Sequence, residues 1–352
     1  MKFNIDLPFK KKKKNLTLTL NEVKRETEKA VTLIFDDDEA CKYLPGQYLT
    51  LIMKIDGKEE RRSYSICSTP KTENGISVTV KEITGGKVSG FINRNVAKGQ
   101  TIEILAPEGN FLLPDDHQGH LVFIAAGSGI TPVFSMIKEV LHHLENDVTL
   151  IYGNRNESSV IFGSELRQLA EKFADRFTLI ETLSQPSENW NGLKGRINHE
   201  LLKNNLQRLN NDAFYYLCGP EELMKTTKEF LLKSGVTDKK IKQEKFVTSK
   251  KEPEMNGEEQ IIERQVTVIV DGEEHQVIVK PDETILEAAL DDDIDMPFSC
   301  QSGICTTCRG KLISGKVSME EDEGLSPEEI ENGYVLNCVG HPLTDDVKIE
   351  IG

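Results

Sequence analysis

Apolar and polar residues alternate with period two through much of the first hundred positions. Leu16-Thr17-Leu18-Thr19-Leu20, Val31–Phe35, Tyr48–Met53, Ile76–Ile83 and Thr101–Leu105 each read as a strand with one face toward a core, because successive side chains of an extended chain point to opposite faces. Turn formers such as Pro45-Gly46 and Gly85-Gly86 fall between these runs, so the region predicts an antiparallel barrel or sandwich, with one short helix over Val88–Asn95. From about residue 119 to 247 the pattern changes. Continuous or near-continuous apolar runs (Leu121–Ala125, Val148–Tyr152, Phe177–Thr182, Ala213–Leu217) alternate with helical patterns (Thr131–Leu144, Ser164–Ala174, Glu221–Leu232). Buried strands alternating with helices predict an α/β parallel sheet with crossover helices. Thr248–Gln260 has no apolar periodicity and holds Pro253 and Gly257; it reads as a linker that spans about 20 Å as a flexible coil. Beyond it, Gln265–Val270 and Gln276–Lys280 flank Asp271-Gly272 as a hairpin, and Glu283–Ala289 follows as a helix, giving an α+β third region. The expected partition is 1–114, 115–247, a linker over 248–262, and 263–352.

Composition narrows the class. The 352 residues are 38% hydrophobic with a mean hydropathy of −0.39, and no apolar run approaches the roughly 20 residues of a spanning helix. The lysines at 10–14 precede an alternating strand rather than an apolar block, so they read as a solvated run and not as a secretion signal; a cytoplasmic location and no membrane association are the expectation. The net charge of −15 is not spread evenly. From Glu263 to Gly352 there are 21 acidic residues against 6 Lys and Arg, whereas the preceding 262 residues carry 37 of each sign. A field of one sign at one end steers a partner of opposite sign and repels nucleic acid, which is excluded as a ligand.

Four of the seven cysteines lie in the last 53 residues. Cys300, Cys305, Cys308 and Cys338 have the spacing C-x4-C-x2-C-x29-C, that of plant-type 2Fe–2S ligation, in which soft thiolates on a short loop reach one cluster. The small residues Ser302, Gly303, Thr306 and Thr307 allow backbone N–H groups to turn toward the inorganic sulfurs. A structural zinc site usually pairs two short clips, and a triplet followed by a distant single cysteine does not fit that pattern.

Ala125-Ala126-Gly127-Ser128-Gly129-Ile130-Thr131-Pro132 follows a buried strand and opens a helix, with Thr131 expected as the N-cap and Pro132 at the first helical position. Such a turn favours a pyrophosphate, through free N–H groups, the helix dipole and close backbone approach at Gly127, Ser128 and Gly129. The next strand ends at Tyr152-Gly153-Asn154-Arg155. A site for NAD places an acid there, whereas Arg155 suits the 2′-phosphate of NADPH; Glu157, two residues on, carries the opposite preference. Cys218-Gly219-Pro220 ends a later strand. In the first region, Arg62-Ser63-Tyr64-Ser65 offers a guanidinium for a diphosphate, a ring to stack on a flavin and a hydroxyl, and Lys81 precedes Gly86-Lys87-Val88-Ser89, a second candidate anion cradle at a helix start.

In that order and spacing, R-x-Y-S, G-x-x-S, G-S-G-I-T-P, Y-G-N-R and C-G-P resemble the ferredoxin–NADP reductase superfamily, and residues 263–352 resemble a plant-type ferredoxin domain. Essentially the full chain is similar to the reductases of the phenylacetyl-CoA epoxidase type; more distant relatives with this domain order reduce Rieske dioxygenases. The resemblance implies a flavin-binding β-barrel, a nicotinamide-binding domain and a β-grasp ferredoxin domain, with FAD, NADPH and a 2Fe–2S cluster as cofactors. By it, Arg62 and Ser89 hold the flavin diphosphate with backbone help from Gly86, Lys87 and Val88. Tyr64 packs on the isoalloxazine and Ser65 lies near its N5. Thr131, Cys218, Gly219 and Pro220 border the nicotinamide. Gln243-Glu244-Lys245-Phe246 matches the family's E-x-F ending, with Glu244 in the nicotinamide pocket and Phe246 over the flavin. The implied partner is an oxygenase component, a multisubunit diiron epoxidase; a Rieske dioxygenase, desaturase or cytochrome P450 is the alternative acceptor, and a redox-sensing role the alternative to catalysis.

Overall fold

The computed structural model describes residues 15–36, 42–113, 119–206, 213–246 and 261–351, without 299, 302, 304 and 321–323. It divides into two units, one formed by the residues up to Glu60 with Tyr64–Glu244, the other by Arg61–Ser63 with the residues beyond Glu244. The lysine run, Cys41 and the expected linker over Thr248–Gln260 lie outside the described residues.

Strands β1 (Leu16–Thr27), β2 (Ala30–Phe35), β3 (Tyr48–Ile55), β4 (Lys58–Ser65), β5 (Ile76–Lys81) and β6 (Thr101–Ile104) form a sheet of order β4-β3-β6-β1-β2-β5, with helix α1 (Lys87–Asn95) after β5. An antiparallel bridge between Ile66 and Val78 joins the chain just past β4 to β5 and closes the sheet into a barrel, so its two outer strands are not left as open edges. Inward-pointing Leu18, Leu20, Val31, Leu33, Leu49, Leu51, Val78 and Val80 fill the interior. Alternation predicts the barrel but not β4. The sequence of that strand, Lys-Glu-Glu-Arg-Arg-Ser-Tyr-Ser, has almost no apolar face because most of it is solvated.

The second sheet is parallel throughout. It contains β7 (Leu121–Ala126), β8 (Val148–Asn154), β9 (Phe177–Leu183), β10 (Leu193–Lys194), β11 (Phe214–Cys218) and β12 (Ile241–Glu244) in the order β10-β9-β8-β7-β11-β12. Helices α2 (Ile130–His143), α3 (Gly163–Lys172), α4 (His199–Leu206) and α5 (Glu221–Lys233) make the crossovers. The chain moves outward from β7 to β10, then returns to lay β11 on the other side of β7. That reversal is the topological switch point at which open α/β sheets bind ligands, beyond the C-terminal ends of the two strands.

The second unit has a five-stranded sheet of order β14-β13-β19-β15-β17, built from β13 (Arg264–Val270), β14 (Glu273–Val279), β15 (Arg309–Ser314), β17 (Tyr334–Leu336) and β19 (Lys348–Ile351). Strands β16 (Val317–Met319) and β18 (Gly340–Pro342) pair separately. Helix α6 (Ile285–Asp291) packs across the sheet, and a short helix, α7 (Pro327–Glu331), precedes β17. The β13–β14 hairpin turns at Asp271-Gly272, both with positive φ, as its Asp-Gly signal demands. Thr284 caps α6 by accepting from the Glu287 N–H while Glu287 accepts from the Thr284 N–H, a reciprocal box that fixes where the helix begins. Among the described residues no helix is long and apolar enough to cross a membrane.

Candidate functional site

The switch point is built from backbone. A 3₁₀ turn, Gly127–Gly129, runs straight from β7 into α2. The N-cap is therefore Gly129 and not Thr131, which sits inside the first turn, buried, with its hydroxyl donating to the Ser128 carbonyl at 3.0 Å. The expected cap fails because the 3₁₀ turn supplies the helix start two residues early, and Pro132 follows where an N–H has no intrahelical partner anyway. The glycine at 129 is also required by the protein itself. A Cβ there would lie 2.1 Å from the Cys218 carbonyl oxygen and 2.8 Å from the Gly219 nitrogen, so the β7 turn and the end of β11 touch backbone to backbone. Gly127 has a positive φ, and Tyr152, fully buried on β8, donates to its carbonyl at 3.0 Å.

Cations gather beside this turn. Lys81, at the end of β5, comes so near Gly127 that a Cβ there would lie 3.2 Å from its Nζ. Burial lowers the Lys81 pKa, and the neighbouring Arg155 and Lys29 charges lower it further. The Asn154 amide nitrogen, at the end of β8, is buried with no hydrogen-bond partner among the described residues. Like charges pressed together beside an orphaned donor and a helix start fit an anion. The sequence sets Lys81 beside Gly86–Ser89; the structure brings it to the β7 turn, which no local string foretells.

On the other side of the crevice, Cys218 and Glu244 stand opposite one another on the parallel pair β11–β12, and Ser65, buried at the end of β4, donates to the Glu244 carboxylate at 3.4 Å. Burial pushes the Glu244 carboxyl up to about 8, the Ser65 hydrogen bond opposing it. Burial first, and then the charge of Glu244, push the Cys218 thiol well above its ordinary value. Both shifts favour the protonated forms of Glu244 and Cys218. A face that favours neutral groups suits a neutral heterocyclic ring, and a thiolate nucleophile is not expected there.

The residues expected to hold a flavin divide between two elements. Exposed Arg62 and half-buried Tyr64 lie on β4 with Ser65, and Tyr64 packs against the barrel core. Gly86 is the N-cap of α1, whose first turn holds Lys87, Val88 and Ser89. Val88 is core, so only its backbone is available to a ligand, and the Ser89 hydroxyl accepts the Ile83 N–H at 3.1 Å. Lys87 is drawn to Glu60 at 3.0 Å, which leaves the α1 N-terminus as the anion-facing feature there. Half-buried Phe246 follows two residues after β12, exposed Pro220 is the N-cap of α5, and Gly219 precedes it.

In the second unit Cys300, Cys305, Cys308 and Cys338 are all buried, and their thiols converge: Cys300 interacts with Cys305 and Cys338, and Cys338 with Cys308. These contacts, with burial, push Cys305 and Cys338 up, while the contact with Cys338 holds Cys308 below its ordinary value against the effect of burial. Four buried sulfurs brought together in this way can all ionise only with cationic iron between them, and as a donor set they fit a 2Fe–2S cluster. Two further residues hold the loop. The Asn337 side chain, fully buried, donates to the Cys308 carbonyl at 2.8 Å, and Gly324 packs so tightly on the loop that a Cβ would lie 2.7 Å from the Cys305 carbonyl. Sequence reasoning misses both, since neither residue type signals chemistry.

Comparison with known proteins identifies the three regions as domains. Residues 17–112 match the oxidoreductase FAD-binding domain, 123–229 the oxidoreductase NAD-binding domain and 268–343 the 2Fe-2S iron-sulfur cluster binding domain. The chain is 38% identical over 345 residues to one of the subunits of 1,2-phenylacetyl-CoA epoxidase from Escherichia coli (strain K12), covering 95% of this chain and 97% of that protein. It is 35% identical to the ferredoxin reductase component of 3-ketosteroid-9-alpha-monooxygenase from Rhodococcus rhodochrous, covering 96% and 97%. The solved structure of phthalate dioxygenase reductase superposes with a TM-score of 0.66 at 20% identity over 96% of this chain and 98% of that one, a likeness of fold. With FAD-, NAD- and 2Fe–2S-binding domains in one polypeptide, the chain belongs to the ferredoxin–NADP reductase-like family of flavin and iron–sulfur reductase components.

Proposed function

We propose that this reductase takes its electrons from NADPH and delivers them to an oxygenase component, a multisubunit diiron epoxidase of the phenylacetyl-CoA type. The observation that carries the coenzyme reading is the pairing of Lys81 and Arg155 beside the Gly127–Gly129 turn. Lys81 and the turn suit the pyrophosphate, and Arg155, just past β8, suits the 2′-phosphate. Ser65, Cys218 and Glu244 form an uncharged wall for the nicotinamide, bordered by Thr131. Arg62 and the α1 start grip the flavin diphosphate, and Tyr64 gives the flavin a face to pack on. The role of Phe246 as the aromatic cover rests on its place in the E-x-F ending. When bound, the flavin accepts hydride from the nicotinamide and passes single electrons to the cluster held by Cys300, Cys305, Cys308 and Cys338. The acidic excess of residues 263–352 supports docking on a basic face of the oxygenase. The epoxidase reading is supported by the 38% identity to the E. coli protein, and the other oxygenase reductases among the relatives define the alternative.

Anaerobic titration of the purified holoprotein with NADPH and with NADH tests the coenzyme reading. Flavin and iron–sulfur bands are expected to bleach at low NADPH and much higher NADH; equal bleaching by NADH would remove Arg155 from the argument. Acceptor identity is tested with the purified oxygenases: turnover by a Rieske oxygenase and not by a diiron epoxidase would overturn that part.

A further inference from the structure

The end of β8 presents two contradictory instructions. Arg155 stands where NAD-type sites place an acid for the ribose hydroxyl and favours a 2′-phosphate, while Glu157, two residues on, is a carboxylate that opposes a phosphate nearby. The structure resolves the contradiction through a residue on the neighbouring strand's exit. The chain leaving β9 continues alongside the chain leaving β8: the Ser184 N–H donates to the Asn154 carbonyl at 3.0 Å and the Gln185 N–H to the Arg155 carbonyl at 2.7 Å. This backbone ladder sets Ser187 against Glu157. The Ser187 hydroxyl donates to Glu157 Oε1 at 2.6 Å, and the Ser187 N–H reaches Oε1 at 3.0 Å and Oε2 at 3.3 Å. The hydroxyl bond is the largest of the effects that hold the Glu157 carboxyl below its ordinary range, so the group is ionised and committed. The turn that carries it is fixed as well. Asn156 caps the 3₁₀ segment Glu157–Ser159, the Asn156 N–H donates to the Ser159 hydroxyl at 3.1 Å, and the Ser158 hydroxyl donates to the Asn156 side-chain oxygen at 3.1 Å.

We infer that Ser187 is a specificity-determining positioning residue, which holds Glu157 on the β9 exit loop and away from the ribose, so that Arg155 alone meets the coenzyme's 2′ position. The inference rests on the NADPH reading above and deepens it. Released from Ser187, the Glu157 carboxylate swings toward the ribose, accepts from a 2′-hydroxyl and opposes a 2′-phosphate. Ser187 is exposed, so its hydroxyl can be removed without disturbing a core.

The test measures binding of two probes, adenosine 2′,5′-bisphosphate and ADP-ribose, to the holoprotein by calorimetry, alongside KM for NADPH and NADH. It uses the wild type, Ser187→Ala, Glu157→Gln and the double variant. Ser187→Ala is expected to weaken the bisphosphate about threefold to fivefold and to tighten ADP-ribose by a similar factor, the scale of exposed charge interactions. The KM ratio should narrow accordingly. In the Glu157→Gln background the same serine substitution should change neither probe, because Ser187 then has no charge to hold. Dissociation constants for both probes within about twofold of wild type in Ser187→Ala would overturn the inference and leave the NADPH reading intact. An equal effect of the serine substitution in the Glu157→Gln background would also overturn it, since Ser187 would then act directly. A wild type that prefers ADP-ribose and NADH would overturn the NADPH reading, and this inference with it.

Discussion

The crevice proposed for the nucleotide and the loop proposed for the cluster are built by opposite means. At the crevice the shape is made by backbone: the Gly127–Gly129 turn leans on the Cys218 carbonyl, and strands far apart in the chain lie side by side. At the cysteine loop the shape is made by side chains, three of the four proposed ligands within nine residues, with Asn337 and Gly324 pinning the loop. A site defined by side chains is written in residue types and can be read from spacing. A site defined by backbone is written in topology, and its residues gain meaning only once the sheet order is known.

Three substitutions break this contrast in order of expected effect. Cys338→Ser removes one of the four sulfurs, and iron content and long-wavelength absorption are expected to fall below about a tenth of wild type, because even residues that merely support metal ligands are worth tenfold or more in affinity. Bleaching of the flavin by NADPH should survive in that variant; its loss would mean that the two sites are not independently built. Gly129→Ala drives a methyl group into the Cys218 backbone. It should cost about 3 kcal/mol and lower the melting temperature of the flavin and nucleotide unit by roughly 6–12 °C, with the cluster spectrum unchanged. An unaltered melt would show that the turn is looser than its geometry.

Glu244→Gln is the mildest, and its effect depends on pH. The folded carboxyl titrates at about 8 against an ordinary 4.5. Between those values the native state binds a proton that the unfolded chain has released, so wild-type stability falls as pH rises through that window and levels above it. The glutamine variant lacks this loss. Its advantage in thermal melts should be absent near pH 4, grow toward pH 8 and reach about 2 °C or more at the upper end. A constant difference between the two proteins would mean that Glu244 is ionised in the crevice.

The barrel, the parallel sheet and the 2Fe–2S domain are legible because each rests on a strong signal: period-two alternation, apolar runs between helical patterns, and cysteines at diagnostic spacing. What escapes has physical reasons. Strand β4 is too solvated to alternate, and the short strands β15, β17 and β19 are held by a sheet whose partners lie well apart in sequence. Thr131 is not the cap it promises to be, because a cap preference competes with a 3₁₀ turn that the glycines allow. Lys81 comes to the β7 turn, and Ser187 to Glu157, across tertiary distance, from the barrel and from a loop beyond the next strand. Glu244 can be suspected from the E-x-F ending, but its proton is a property of the burial that the fold imposes.

The reversal between β10 and β11 also has a cost during synthesis. Strand β7 is buried along almost its whole length, and β8 covers one of its edges soon after it emerges. Its other edge must wait until the ribosome has delivered everything up to Phe214. Throughout that interval the nascent chain displays an unpaired, wholly apolar strand, a template for other chains. Any truncation before β11 would make that exposure permanent, so fragments ending there are expected to aggregate, whereas a chain carried through Glu244 seals its own edge.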